Sequence, residues 1–191
     1  MTRRQGVEND QHDHDLRGSS RRTIFANTGP LNHSHHRCLL TRDGPCGGEI
    51  NRSTVTDLLV EYWHEVDHHD GLSAHLLFAV DGEMTFDRAT FRGQDAIARV
   101  YTNRAARGPR VSRHVITNIS LGPVRDDAIR VESILLLFAQ DGLPPRPSIV
   151  PTSVADVVDD LNLSDGRLVI ARRVLTNMFL TDENDLAVPT K

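Results

Sequence analysis

A histidine and an asparagine lie close together in the segment SRHVITNIS, residues 112–120. β-branched residues alternate with them, which favours a strand. Side chains alternate between the two faces of a strand, so the pattern predicts that His114, Ile116 and Asn118 share one face. A neutral imidazole can accept a proton near neutral pH, and a carboxamide can polarise a carbonyl or hydroxyl. The segment therefore indicates acid–base chemistry. The alternative is a satisfied core or edge histidine beside an asparagine that bonds to the backbone.

A second pair of polar residues lies in the segment EYWHEVDHHD, residues 61–70. Counting back by four from Asp67 gives Trp63 and Leu59, so Asp67 continues an apolar ridge of a helix. A carboxylate there must emerge at the helix end or find a partner. Tyr62 could donate a hydrogen bond to a developing oxyanion or a leaving hydroxyl, or it could pack into the core with Trp63. Both residues are candidates for a site.

Two arginines and a glutamate fall within predicted strands. Arg172 and Arg173 are adjacent, so alternation points one of them inward. We expect the inward arginine to pair with Glu132 or Asp156; binding of a substrate anion is the alternative.

The elements that must position these residues follow from hydrophobic periodicity. Apolar residues recur at three- and four-residue steps from residue 53 to residue 66, which predicts a long amphipathic helix. Helices are also predicted in LSAHLLFAV and QDAIARVYTNRAARG, and two short strands or a hairpin in GEMTFDRATFRG. Longer strands are predicted in RVSRHVITNISLG, AIRVESILLLFAQ, VADVVDDLNL and RLVIARRVLTNMFL. Helices followed by a run of long antiparallel strands predict an α+β fold with the helices on one face of a curved sheet.

Bulk composition excludes several classes of protein. The 191 residues suit one domain with a tail, and 38% apolar and 25% charged residues are typical of a soluble globular protein. A net charge of −4 favours neither nucleic acid nor an anionic membrane surface as a partner. No apolar run could cross a bilayer, and no secretory signal follows the N-terminal arginine pairs. We therefore expect a cytoplasmic protein.

The two ends of the chain differ from the middle. Residues 1–52 lack apolar periodicity and are predicted to be a disordered tail rich in His and Arg, and residues 182–191 a polar C-terminal tail. The histidines at 12–14 and 33–36 could bind a metal, but they lack regular ligand spacing, which favours a plain tail. The histidines in HEVDHHD follow no closed ligand pattern either. The two cysteines indicate no disulfide framework, and the sequence predicts no metal site.

Residues of about 53 to 180, within a domain predicted to span 53–181, resemble a known family. The segments EYWHEVDHHDG, FRGQDAIARVY, SRHVITNISLG and DGRLVIARRVL occur in the order and spacing of the SnoaL-like branch of the NTF2-like superfamily. That branch includes scytalone dehydratase, ketosteroid isomerase and dehydrochlorinase relatives. The resemblance implies a cone-shaped α+β fold of the cystatin-like kind. In it, a curved antiparallel sheet wraps around a long N-terminal helix and encloses an apolar pocket.

The resemblance also implies a function. In dehydratase and dehydrochlorinase members an aspartate at the end of the first helix pairs with a strand histidine that serves as the base. Carried over, these are Asp67 and His114, with Tyr62 and Asn118 assisting by hydrogen bonds. We expect a cofactor-independent lyase or isomerase that acts on a small apolar organic substrate, with dehydration as the favoured net reaction. Relatives commonly dimerise through the sheet, which implies a homodimer.

A non-catalytic role is the alternative. The same fold forms the β subunit of ring-hydroxylating dioxygenases and several ligand- or partner-binding modules, and a fold alone does not decide function. Family members commonly close with Gly-Trp-Arg-Ile, whereas this chain reads GRLVI after its final turn. An aromatic residue of the pocket rim is therefore replaced.

Overall fold

The computed structural model describes residues 49–181. Helix α1 spans Arg52–His68 and helix α2 spans Gln94–Ala105, and a short 3₁₀ turn lies at Ala74–Leu77. The six strands are β1 Phe78–Phe86, β2 Ala89–Arg92, β3 Arg110–Leu121, β4 Ala128–Asp141, β5 Ser153–Ser164 and β6 Arg167–Leu180. The predicted tails, with their histidine clusters, lie outside the described residues except for residues 49–52, of which Asn51 caps α1.

The strands form one curved sheet in the order β2-β1-β6-β5-β4-β3. Neighbouring strands run antiparallel except β1 and β6, which are parallel. One face of α1 is buried through Val55, Leu58, Leu59, Tyr62 and Trp63. The predicted α+β fold, a curved sheet against a long N-terminal helix, is confirmed, with the refinement that the sheet is mixed.

The segment LSAHLLFAV was predicted to be a short helix, and this is wrong for its second half. Only Ala74–Leu77 are helical, and β1 begins at Phe78. A short apolar run fits a helix and a buried strand equally well. Pairing with β2 and β6 decides the outcome in favour of a strand.

A β-bulge interrupts β3 and moves Asn118. Thr117 pairs with Ile134 and Ser120 pairs with Glu132, so two residues of β3 lie opposite Ser133 alone. Asn118 adopts a φ of 53°, a left-handed conformation that asparagine tolerates better than most residues. The prediction that Asn118 shares the inward face with His114 is therefore wrong, because the extra residue ends the alternation there. Asn118 is exposed.

Candidate active site

A cavity of about 100 Å3 lies between α1, α2 and the inner face of the sheet. Its walls are mainly apolar and include Trp63, Val66, Phe86, Leu135, Leu137 and Leu175. Uncharged or paired polar groups reach it from α1, β3, β5 and β6, namely Asp67, Ser112, His114, Ser153 and Asn177, and the charged residues Asp70, Arg104 and Arg110 line it as well. An apolar cavity with a few convergent polar groups is the usual form of a small-molecule site.

Asp67 and His114 are in direct contact at this cavity. Asp67 lies on the last turn of α1, and its Oδ1 is 2.6 Å from His114 Nδ1. The backbone N–H of His114 donates to Asp67 Oδ2 at 2.8 Å, and the Ser112 hydroxyl donates to Oδ1 at 2.7 Å. Only 7% of the Asp67 side chain and 11% of the His114 side chain are exposed. The carboxylate is thus a buried group whose partners all come from β3.

These partners keep Asp67 ionised. Burial by itself raises the pKa of this carboxyl, but the hydrogen bonds and charge of His114, together with the Ser112 hydroxyl, outweigh burial and lower the pKa. An ionised carboxylate only accepts hydrogen bonds, so the proton between the two groups belongs to His114 Nδ1. In the neutral ring, Nε2 is then the atom with a free lone pair.

Trp63 lies against the imidazole. Its ring stacks on that of His114 with centroids 4.3 Å apart and planes inclined by 16°. The indole and Asp67 are one helical turn apart on α1, so a single helix face both stacks on the imidazole and bonds to it. Sequence reasoning placed Trp63 only in the core and overlooked Ser112. The sequence did contain a signal for Ser112, because it lies two residues before His114 and therefore on the same face of the strand.

Tyr62 does not line the cavity. It is fully buried, and its hydroxyl bonds to the hydroxyl of Tyr101 and contacts Met84 Sδ at 3.5 Å. Tyr101, on α2, is the tyrosine that reaches the cavity. The expectation that Tyr62 would face a substrate is therefore not met, because the first helix turns this side chain toward α2 and β1.

A buried ion pair lies behind the cavity wall. Arg173 donates from Nε and Nη2 to the two carboxylate oxygens of Asp159 at 2.6 and 2.9 Å, and neither side chain is exposed beyond 1%. The guanidinium lies 4.1 Å from the ring centroid of Tyr62. Burial lowers the pKa of Arg173, but the charge and hydrogen bonds of Asp159 outweigh burial and raise it. The prediction that the inward arginine pairs with Glu132 or Asp156 is wrong, because the register of β5 against β6 places Asp159 opposite Arg173.

Two further arginines line the cavity from α2 and β3. Arg104 Nη2 lies 2.6 Å and Arg110 Nη1 3.7 Å from the same Asp141 oxygen. Burial lowers the pKa of Arg104, against the opposing charge of Asp141. The shared carboxylate ties the end of α2 to the end of β4.

The two tyrosines predict a loss of stability in alkali. Burial raises the pKa of Tyr62, and burial together with Tyr62 raises that of Tyr101 well above the usual value. The unfolded chain therefore releases these phenolic protons at about pH 10, where the folded chain still holds them. The free energy of unfolding should fall above that pH by up to about 1.4 kcal/mol per pH unit and phenol.

Urea unfolding at about pH 8 and about pH 11 measures this effect. These are the only tyrosines of the chain, so phenolate absorbance reports on them alone. In Tyr101→Phe the free energy of unfolding should fall less steeply with pH, since one titrating phenol is gone. An equal decline in wild type and variant would contradict the prediction.

Within residues 49–181, no three His, Cys, Asp or Glu side chains group in a way that could hold a metal ion. No helix in that same range is long and apolar enough to span a membrane.

Comparison with known proteins places the chain in a family. Residues 50–174 match the family model described as a SnoaL-like domain. No curated protein sequence matches the chain. Three solved structures illustrate the fold it shares, and each is similar to this chain without being the same protein.

A candidate scytalone dehydratase from Novosphingobium aromaticivorans is 20% identical, with 68% of this chain and 85% of that chain covered and a TM-score of 0.59. ActVI-ORFA from Streptomyces coelicolor is 20% identical, with 66% of this chain and 96% of that chain covered and a TM-score of 0.58. A Catenulispora acidiphila protein in complex with S-DNPA is 25% identical, with coverages of 65% and 91% and a TM-score of 0.54. The family match spans well over half of the sequence and agrees with these neighbours of the NTF2-like type, so the chain belongs to the SnoaL-like domain family.

Proposed function

We propose that this protein is a cofactor-independent lyase or isomerase in which His114, oriented by Asp67, acts as a general base on a small, mostly apolar organic substrate. The observation that carries the proposal is the contact of 2.6 Å between His114 Nδ1 and a buried, ionised carboxylate at the wall of an apolar cavity. That contact leaves Nε2 as the proton acceptor. The SnoaL-like family, with its scytalone dehydratase-like neighbours, supports this class of reaction.

The proposed reaction needs no group beyond these side chains. His114 Nε2 takes a proton from a carbon next to a carbonyl or a leaving hydroxyl, and the electrons of the C–H bond form the new double bond. The positive charge that develops on the imidazole is stabilised by Asp67. In a dehydration, the C–O bond breaks and the imidazolium returns the proton to the departing hydroxide, which leaves as water. In an isomerisation, the imidazolium returns the proton to another carbon.

The substrate class follows from the walls of the cavity. Apolar side chains surround the imidazole, and Trp63 offers an aromatic face beside it. These contacts favour a molecule with apolar, ring-like character, and the two arginines that also line the cavity, Arg104 and Arg110, both lie beside the carboxylate of Asp141. The S-DNPA complex of the Catenulispora acidiphila protein is a case of small-molecule binding by this fold.

A panel of cyclic hydroxy-ketones in D₂O tests the proposal. An active protein should release water from a member of the panel, or exchange its acidic C–H hydrogen for deuterium, as measured by mass spectrometry. Asp67→Asn should abolish this, since a neutral amide does not stabilise the imidazolium and can turn its NH₂ group toward Nδ1. Activity in Asp67→Asn equal to that of the wild type would refute the proposed role of Asp67 in orienting the base.

The competing candidate is a ligand- or partner-binding module. It is favoured by the positions of Tyr62 and Asn118, since neither of these predicted assisting groups lines the cavity. A protein that binds members of the panel without water loss or deuterium exchange would support this alternative. A cytoplasmic location stays a prediction.

We also propose that the protein forms a homodimer through the outer face of the sheet. Four apolar side chains lie in register across β3, β4, β5 and β6 on that face: Val115, Leu136, Val154 and Phe179. Val115 is 47% exposed and Phe179 is 72% exposed. A row of this kind gains from being covered by a second copy.

Sedimentation velocity should then find a dimer for the wild type and a monomer for Val115→Glu, because a charge would be buried in the contact. Val80→Glu is the matched control, since Val80 is an exposed valine on β1 outside this row. A wild-type monomer, or a Val115→Glu dimer as stable as that of the control, would contradict the proposed interface.

A further inference from the structure

Three polar residues form a hydrogen-bonded network at the cavity wall, two strands away from His114. Asp87, in the turn after β1, accepts from the backbone N–H of Asn177 at 3.0 Å and from its Nδ2 at 2.8 Å. Asn177 Oδ1 in turn bonds to the hydroxyl of Ser153. Ser153 and Asn177 line the cavity, and Ser153 is only 5% exposed. The mechanism proposed above uses none of these residues.

The chemistry of these three side chains determines which group donates and which accepts in each hydrogen bond between them. An ionised carboxylate only accepts, so Asn177 must turn its NH₂ group toward Asp87. Its carbonyl oxygen then faces Ser153 and only accepts, so the hydroxyl proton of Ser153 points to Asn177. What Ser153 can still offer the cavity is the lone pairs of its oxygen. At Ser153 the cavity wall therefore offers a hydrogen-bond acceptor and not a hydrogen-bond donor.

We propose that Ser153, oriented by Asn177 and Asp87, forms a subsite that binds a hydroxyl or phenol group of the substrate by accepting its proton in a hydrogen bond. The inference rests on the proposed function, which it extends by naming a substrate class: hydroxylated, ring-containing molecules. Asn177 and Asp87 are positioning residues here, because they act through the Ser153 hydroxyl.

Strand register sets the distance between this subsite and the base. His114 pairs with Leu137 on β4, and Leu137 pairs with Ser153 on β5. Their backbones are therefore two strand spacings apart, about 10 Å. A substrate that contacts both residues must reach across β4, so the hydroxyl bound at Ser153 is a different group from the one that reacts at His114. It is a second hydroxyl on the far side of the molecule.

Binding of a matched pair of ligands tests the subsite. β-Naphthol and its methyl ether have the same aromatic body, but only the naphthol can donate a hydrogen bond. Isothermal titration calorimetry should give the naphthol an affinity about tenfold higher for the wild type, since the ether leaves the acceptor unpaired. Ser153→Ala should reduce the ratio of the two affinities to about one, mainly by weakening the binding of the naphthol. Ser133→Ala, a buried serine that the cavity does not include, should keep the wild-type ratio.

A second variant tests the proposed orientation of Ser153. In Asp87→Asn the residue facing Asn177 can donate as well as accept, so Asn177 can flip and Ser153 can turn its proton to the ligand. The ether oxygen can then accept a hydrogen bond from Ser153. The ratio of naphthol to ether affinity should therefore lie between those of the wild type and Ser153→Ala. A wild-type ratio near one, or an unchanged ratio in Ser153→Ala, would overturn the subsite.

The same titration on His114→Gln separates this inference from the proposed reaction. A tenfold preference that persists in His114→Gln, whatever the activity of the wild type, supports the subsite alone. Activity on hydroxy-ketones without any naphthol preference would support the reaction and refute the subsite.

Discussion

His114→Gln is expected to lower kcat/KM on the substrate identified from the panel by about 10²–10⁴-fold. Glutamine can still donate a hydrogen bond toward Asp67, but it has no nitrogen that accepts a proton near neutral pH. The loss should appear in kcat more than in KM, because the apolar walls that bind the ground state are unchanged. The measurement is steady-state kinetics on the two purified proteins.

The fold should tolerate this change. Asp67 keeps the hydrogen bonds from the Ser112 hydroxyl and from the backbone N–H of residue 114, neither of which depends on the imidazole. The melting temperature should therefore stay near that of the wild type. Asn118→Ala is the matched control on the same strand, because Asn118 is exposed and outside the cavity, and its kcat/KM should be unchanged.

Either of two results would remove His114 from the proposed role. One is turnover by His114→Gln within a few-fold of the wild type. The other is an equal loss in Asn118→Ala, which would assign the effect to β3 as a whole.

Breaking the buried Arg173–Asp159 pair is expected to cause the largest loss of stability. In Asp159→Leu, Arg173 would remain at 0% exposure without its counterion, and the cost of such an uncompensated buried charge is about 3–5 kcal/mol. That is a large share of the free energy of unfolding of an ordinary domain, about 5–15 kcal/mol. Urea unfolding followed by circular dichroism measures the difference.

The double variant Arg173→Met/Asp159→Leu separates charge from packing. Removing both charges leaves nothing uncompensated, so the double variant should be clearly more stable than Asp159→Leu alone. If it is less stable than the single variant, the pair itself contributes the stability and the interpretation is wrong.

A neighbouring pair provides the control for exposure. Arg130 Nε lies 2.9 Å from Asp160 Oδ1, but the two side chains are 57% and 34% exposed. Asp160→Leu should lower the free energy of unfolding far less than Asp159→Leu does, because solvent screens the exposed pair. The two aspartates are adjacent on β5, so the comparison isolates burial from position.

Local patterns predicted the type of most helices and strands, with the second half of LSAHLLFAV as an exception. Apolar steps of three and four residues predicted α1 and α2, and alternation predicted β3, β4 and β6, because both periods depend only on backbone geometry. The family resemblance then brought Asp67 and His114 together as a hypothesis. Spacing alone could not, since the two residues lie 47 positions apart in the chain.

Local patterns failed where a single residue changes the period or the direction of a side chain. Alternation assumes a regular strand, so it could not reveal that the bulge turns Asn118 outward. A helical stripe does not show which neighbour each of its members meets, so it left open whether Tyr62 faces the cavity or the core, and the tyrosine that reaches the cavity is Tyr101.

Apart from the second half of LSAHLLFAV and the bulge at Asn118, the sequence by itself determined which segments become helix or strand and which chemical groups their inward faces carry, because these follow from short-range periodicity. Only the tertiary structure decided which of those groups meet. The partner of Arg173 depends on the register of β5 against β6, and the orientation of Ser153 depends on a turn residue 66 positions earlier, Asp87. Register and long-range contacts are set by the packing of the whole domain, and no local pattern contains them.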